Sequence, residues 1–447
     1  MMKKISENKL QVFLKNIIPA FIGSGFVYLL SVVDGIIIGQ GAGTKALGAV
    51  NLAVPFIYIT LAYILGVSSG GGTVASIQIG KGNSEEAQNA FMHSLLLSVC
   101  AGILIFVPGV LFAKQIASFL GANEIYLEMA AEYIYIWAAF ALFQSISLTL
   151  QEFFRIDDSQ MFVMILNGIG TAVNIVLDMV FIFKFHKGVF GAALASGISQ
   201  LTMFTVGVVY FLIKKGRFRI RRFTVSKTMI TEILLKGIPT AISQFGTMVL
   251  VAAMNVVLLK YVGPVGVDSF AIISYVASFG VSCFIGTTMG VEPLLGKSYG
   301  EKNADKIKWY FKAGIIFNII CGAAMFLLFV ILRKQVCLLF GASGEILKYA
   351  SDNMWKICLG IPFDGITCMV SVYLYATEKT KEAIGFNVLK NLVISYAFIT
   401  FLPALFGTEI IMFSFAIYQA VMVFIGIVIC KKTSVFIRIP TKEGNGV

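Results

Sequence analysis

The chain has 447 residues, of which 58% are hydrophobic and only 13% charged, whereas soluble domains carry charge on about a quarter of their residues. With a mean hydropathy of +0.88 and apolar residues gathered in blocks rather than alternating, this excludes a soluble fold and argues against an outer-membrane barrel. The net charge of +12 falls mostly in short loops between the blocks, so it signals membrane topology rather than nucleic-acid binding.

A helix needs about 20 predominantly apolar residues to cross a bilayer, and twelve such spans are expected. They lie near 13–38, 46–72, 90–112, 129–150, 161–183, 189–213, 237–259, 268–291, 311–332, 354–376, 386–407 and 409–430. The lysine-bearing start superficially resembles a secretory leader but lacks a short core and a small-residue cleavage site, so it reads as a retained first helix. The segment between spans six and seven, KKGRFRIRRFTVSK at 214–227, is the longest polar connection and reads as a solvated linker that anchors topology. With both termini in the cytoplasm, the inner segments hold most of the 35 Lys and Arg, as cytoplasmic loops do. Lys236 and Lys390 fall near inner helix ends in this scheme.

Two halves echo each other at a separation of about 220 residues. KNIIPA at 15–20 matches KGIPTA at 236–241 after a one-residue slip, IGKGNSEEAQ at 79–88 matches KSYGEKNADK at 297–306, and FLGANEI at 119–125 matches LFGASGEI at 339–346. Six spans separate equivalent points, so the halves have the same orientation and form parallel repeats. The expected fold class is an all-α polytopic membrane protein of twelve transmembrane helices in two six-helix repeats. Its organisation is an N-terminal lobe at 1–213, a basic linker at 214–228, and a C-terminal lobe with a short tail at 229–447.

Ionisable groups inside apolar spans are costly and mark pathways or partners. Asp34, Asp178 and Asp364 lie well within spans. In NGIGTAVNIVLD at 167–178, Asn174 and Asp178 are four residues apart and share a helix face. Two oxygens so placed suit a hard cation such as sodium, and a protonated Asp178 would instead donate a hydrogen bond. Asp364 follows Pro362, which is able to kink its helix. Gln144 occupies the position in the first half equivalent to Asp364 and could bond a substrate without charge. Glu132 and Glu292 lie nearer span ends. His93 and His186 are too few and too separated for a metal site, and the seven Cys show neither zinc spacing nor a disulfide framework. No phosphate-binding GxxxxGK[ST] loop is present.

VVDGIIIGQ at 32–40, LGAVNLAVP at 47–55, NIVLDMVFIF at 174–183 and GVFGAALASGISQ at 188–200, with the two FGA-type loops, resemble the multidrug and toxic compound extrusion (MATE) family, in particular its bacterial exporters. The resemblance covers essentially the whole chain. It implies a two-lobed, multi-pass protein of the bacterial inner membrane that exports amphiphilic or cationic small molecules by alternating access, driven by inward proton or sodium flow. It also implies a cation site at Asp34, Asn174, Asp178 and Ser196, and a second acidic position at Asp364. Thr247 stands near where some relatives carry glutamate, Thr367 stands where several carry glutamine, and the acids of QEFFRIDDSQ at 151–160 replace a small, glycine-rich turn. Membrane lipids are the only other expected partners, with no nucleic acid, no cofactor and a functional monomer. A lipid-linked precursor flippase, a membrane enzyme and a non-transporting sensor are the competing readings.

Overall fold

In the computed structural model, residues 2–122, 124, 126–214, 216–340 and 342–433 are described. Lys215 of the basic linker, parts of both FGA-type loops and the tail beyond residue 433 lie outside them. Sixteen α-helices follow in chain order: α1 (Met2–Gly41), α2 (Thr44–Gly80), α3 (Ser84–Leu111), α4 (Ala113–Phe119), α5 (Leu127–Ala139), α6 (Ala141–Ile156), α7 (Gln160–Asp178) and α8 (Gly188–Ile213) in the first half. The second half holds α9 (Lys227–Tyr261), α10 (Pro264–Gly300), α11 (Ala304–Leu339), α12 (Gly344–Cys358), α13 (Ile361–Ala376), α14 (Thr380–Val388), α15 (Ser395–Phe406) and α16 (Ser414–Lys432). Among the described residues 11 helical segments are long and apolar enough to cross a membrane, and α5 with α6 make the twelfth span, bent by 50°. The fold is therefore the all-helical, twelve-span architecture expected from composition.

The bend falls at Phe140, whose ring rests on Gly197 of α8 where a Cβ would collide with it. Two spans are interrupted differently, by a π-helical turn at Met179–Lys184 after α7 and another at Leu389–Ile394 between α14 and α15. Neither was visible in the sequence.

The repeat is written into the turns. Gly43 and Gly263 carry φ of 87° and 88°, Gly82 and Lys302 carry 82° and 55°, and Asp158 and Glu378 carry 59° and 61°. These pairs match at the spacing of the sequence echo. A residue of positive φ stands in the turn after each preceding helix at the same place in both halves. That Lys302, Asp158 and Glu378 adopt it despite their side chains indicates that the turn geometry, rather than glycine, is the repeated element.

Contacts divide the chain into two compact units that do not coincide with the two sequence halves. One comprises the chain through Ile17, Thr73–Ala87 and everything from Val249; the other comprises Ile18–Gly72 and Gln88–Met248. Close glycine packing explains the exchange. In the first unit, Gly290 leaves room only for the Ile17 backbone, and Gly80, Gly296 and Gly300 set the end of α2 against α10. In the second, Gly66 and Gly70 of α2 lie against Gly237 and the Ile233 carbonyl of α9. Small residues allow this approach where no hydrophobic force drives helices together.

The linker keeps Arg217, Arg219, Arg221 and Arg222 exposed, while contacts at a few of its described positions dock it as a strap. Phe218 is buried and packs edge-on against Phe153, 4.9 Å between centroids, and beside Phe91 at 5.3 Å. Gln88 clamps the Arg219 backbone from both sides, donating to its carbonyl at 2.5 Å and accepting from its N–H at 2.9 Å. His93 Nδ1 faces the Asn89 carbonyl at 2.8 Å, so that nitrogen donates; Nε2 is then the acceptor for the Ser226 N–H, also at 2.8 Å. Asp157 takes Lys214 at 2.9 Å and Arg217 at 3.7 Å, and Lys214 also bonds Ser159. Two acids of QEFFRIDDSQ, Asp157 and Asp158, thus fasten the strap, whereas Glu152 pairs with Arg155 of its own helix. Asp157→Ala should cost about 1.5–3 kcal/mol, as for hydrogen bonds to charged groups, read as a lower melting temperature of the purified protein with faster proteolysis within 214–226. Unchanged stability and cleavage would show the strap is held without Asp157.

Candidate functional site

Helix α7 presents Asn167, Asn174 and Asp178 along its buried face, the stripe expected from a spacing of three and four residues. Asp178 is fully buried and Asn174 nearly so. With the amide turned to satisfy both neighbours, Asn174 donates from its nitrogen to Asp178 Oδ2 at 3.1 Å. Its oxygen accepts from the Ser196 backbone N–H at 3.0 Å and from Ser196 Oγ at 3.2 Å. Asn174 is therefore a bridge between α7 and α8, with its oxygen committed to Ser196.

Asp34 of α1 completes the group, its carboxyl within side-chain hydrogen-bonding reach of Asp178. Two carboxylates cannot share a hydrogen bond while both are charged and bare; one proton, or a cation between them, is required. Oδ1 of each aspartate is out of contact with solvent and has no hydrogen-bond partner. Tyr133 of α5, buried in the same core, lies within electrostatic reach of both acids. Reading the sequence missed Tyr133, because a tyrosine in the buried stripe of an apolar helix carries no distinguishing pattern; neighbouring Glu132 is exposed.

Asp34, Asn174, Asp178 and Ser196 thus meet at one place, and four helices of the first half supply them and Tyr133. The donor set is carboxylate, amide and hydroxyl oxygen, chemistry that fits a proton or a hard monovalent cation. The two orphaned Oδ1 atoms are where such an ion would find free acceptors. No group of three or more His, Cys, Asp or Glu able to hold a metal occurs among the described residues.

The remaining candidates lie elsewhere. Asp364 and Thr367 of α13 are brought together by Gln419 of α16, which donates to Asp364 Oδ1 at 2.6 Å while its oxygen accepts from Thr367 at 3.1 Å. Lys390 joins them with its ammonium 2.8 Å from Asp364 Oδ1 and is buried among the helices. Gln144 is buried on α6. Thr247 is exposed on α9 and bonds the Ser243 carbonyl of its own helix. Glu292 of α10 is buried and accepts from Thr73 at 2.6 Å and Tyr375 at 3.0 Å.

The MatE family profile matches residues 19–180 and again 239–401, one match in each half. The chain belongs to the MATE family. The duplicate match is the repeat seen in the sequence and in the paired turns. This MATE protein is 27% identical over 427 residues to the multidrug export protein MepA of Staphylococcus haemolyticus (strain JCSC1435), covering 92% of this chain and 91% of that one. It is likewise 27% identical over 421 residues to MepA of Staphylococcus aureus (strain MRSA252), covering 90% and 89%. Among solved structures it resembles a multidrug resistance MATE family transporter of the MOP superfamily in its outward-facing conformation, with a TM-score of 0.90 at 22% identity over 94% of this chain and 95% of that one. A MATE structure in the straight conformation gives the same TM-score and identity, covering 95% and 96%. The protein is accordingly a multi-pass membrane transporter and not an enzyme.

Proposed function

We propose that this MATE protein is a secondary antiporter that exports amphiphilic or cationic small molecules across a bacterial inner membrane in exchange for inward proton or sodium flow. The observation that carries this reading is the Asp34–Asp178 carboxyl pair, brought together inside apolar helices and supported by Asn174 and Ser196. That the MepA relatives are named multidrug export proteins supports drug-like cargo. The closeness of the two carboxyls favours the proton as coupling ion, because one proton held between them needs no further ligand. Sodium remains chemically compatible through the two free Oδ1 atoms.

Coupling requires that ion and substrate favour different conformations. A carboxyl pair gives a physical means. Its protonated form is compact and self-satisfied, whereas loss of the proton leaves two buried like charges that must rearrange or acquire a cation. The working unit is proposed to be a monomer, with both termini in the cytoplasm.

The test is uptake of a fluorescent lipophilic cation into inverted membrane vesicles under separately imposed proton and sodium gradients. Uptake driven by a proton gradient alone is the expected result. Uptake driven by sodium alone would reassign the coupling ion. No uptake across a panel of lipophilic cations, with folded protein verified, would overturn export of this class and shift the reading to a lipid-linked substrate.

A further inference from the structure

The second half of the chain contains a buried charge pair, Asp364–Lys390, at positions whose first-half equivalents are uncharged. Asp364 and Lys390 have only 6% and 8% of their side chains exposed, with Oδ1 and Nζ 2.8 Å apart. At the repeat spacing, Asp364 corresponds to Gln144 and Lys390 to Gly170, so the first half builds the same helices with neither charge. The fold therefore does not demand the pair.

The carboxylate is served unevenly. Lys390 and Gln419 both donate to Oδ1, at 2.8 and 2.6 Å, whereas Oδ2 meets the Cys368 thiol at 3.7 Å, a weak donor. Oδ2 thus retains acceptor capacity beside an ammonium on a flexible four-carbon stem. Lys390 lies within the π-helical turn Leu389–Ile394, a backbone feature frequent at functional positions. Thr367 fixes the Gln419 amide at 3.1 Å, which keeps the carboxylate oriented when its cation changes.

We propose that Lys390 is a tethered competitor for Asp364: its ammonium occupies the carboxylate that a transported organic cation uses, so the second half engages such a cation only by displacing Lys390. The inference rests on the export of cations proposed above and assigns Lys390 as the residue that sets how strongly they are held. Removing the tethered ammonium frees Asp364, and the gain disappears when Asp364 is neutralised as well. An arginine keeps the competing charge.

The experiment uses the full chain in nanodiscs with tetraphenylphosphonium as probe. Lys390→Met should tighten its binding about tenfold, within the usual span of site-to-site coupling. Lys390→Arg should bind as the parent does, and Lys390→Met combined with Asp364→Asn should lose the gain. Because Lys390→Met leaves a buried carboxylate unpaired and is at risk of misfolding, a second measurement uses the unmodified protein. Saturating tetraphenylphosphonium should raise reductive methylation of Lys390 severalfold, read by mass spectrometry. Folded Lys390→Met with parental or weaker affinity overturns the proposal, as does unchanged methylation when tetraphenylphosphonium is bound. If the vesicle assay shows cation export while Lys390 methylation stays unchanged, only the competitor role fails. If no cation is exported or bound by either parent or Lys390→Met, both readings fall.

Discussion

Asp178→Asn is expected to abolish gradient-driven efflux, lowering it by about 100-fold, towards the upper end of coupling free energies of about 1–3 kcal/mol. Asparagine keeps the size of the side chain and its contact with Asn174 but cannot exchange a proton or balance a cation. Asp34→Asn should do the same, and the double variant should be little worse than either single one, because groups that act as a unit are not additive. Membrane insertion should be unaffected, since neutralising a buried acid removes a cost rather than adding one. The measurement is fluorescent-cation uptake into inverted vesicles normalised to the amount of folded transporter. Parental transport by both single variants would remove these residues from coupling.

The second large effect is expected at the contact between the end of α2 and α10. A Cβ on Gly300 would overlap the Ile77 carbonyl oxygen and come within 2.7 Å of Gly80 Cα, and one on Gly80 would overlap the Lys297 carbonyl oxygen. Backbone atoms cannot swing away as a side chain would. Gly300→Val should therefore cost at least the upper end of the ~1–3 kcal/mol typical of overpacking, and Gly300→Ala somewhat less. Thermal unfolding in detergent should show a lowered midpoint for both, with transport reduced in step. A valine variant with parental stability and transport would mean that these helices have freedom to separate without consequence.

Much of the fold was legible because lipid imposes a simple rule. Backbone groups must be satisfied within each span, so length and hydropathy locate helices directly. The repeat was legible for a related reason: turns such as Gly82–Asn83 and Lys302–Asn303 need polar, left-handed residues at fixed places. The unit boundaries were not legible. They depend on which glycine faces which neighbour, as with Gly80 on α10 and Gly70 on α9, and glycine is scattered through every span.

Within the candidate site the outcome followed the chemistry of each residue. Asp34 and Asp178 stand out because charge in hydrocarbon is rare, and Asn174 follows from its spacing to Asp178. Ser196 came only from the family resemblance, since a serine in an apolar helix more often bonds its own backbone, as Ser68 and Ser98 do. The pairing of Lys390 was not legible because a lysine near the start of a span looks like an interfacial anchor, and its partner Asp364 is distant in sequence. The docking of the strap was not legible because the six basic residues of 214–226 hide the informative ones: Phe218, which is buried, and the backbone at Arg219 and Ser226, which bonds Gln88 and His93.

The π-helical turns at Met179–Lys184 and Leu389–Ile394 have a consequence for how this sequence is compared with others. Such a turn closes on a hydrogen bond one residue longer than an α-helical turn, so it stores one extra residue without shifting the helical phase on either side. A chain with one residue fewer at either place would run as plain α-helix and still present Asp178, or the face beyond Lys390, in register. Single-residue gaps in alignments with relatives should therefore settle at these two turns, inside spans where gaps are ordinarily forbidden, and a one-residue deletion should be tolerated there and nowhere else along the same helices.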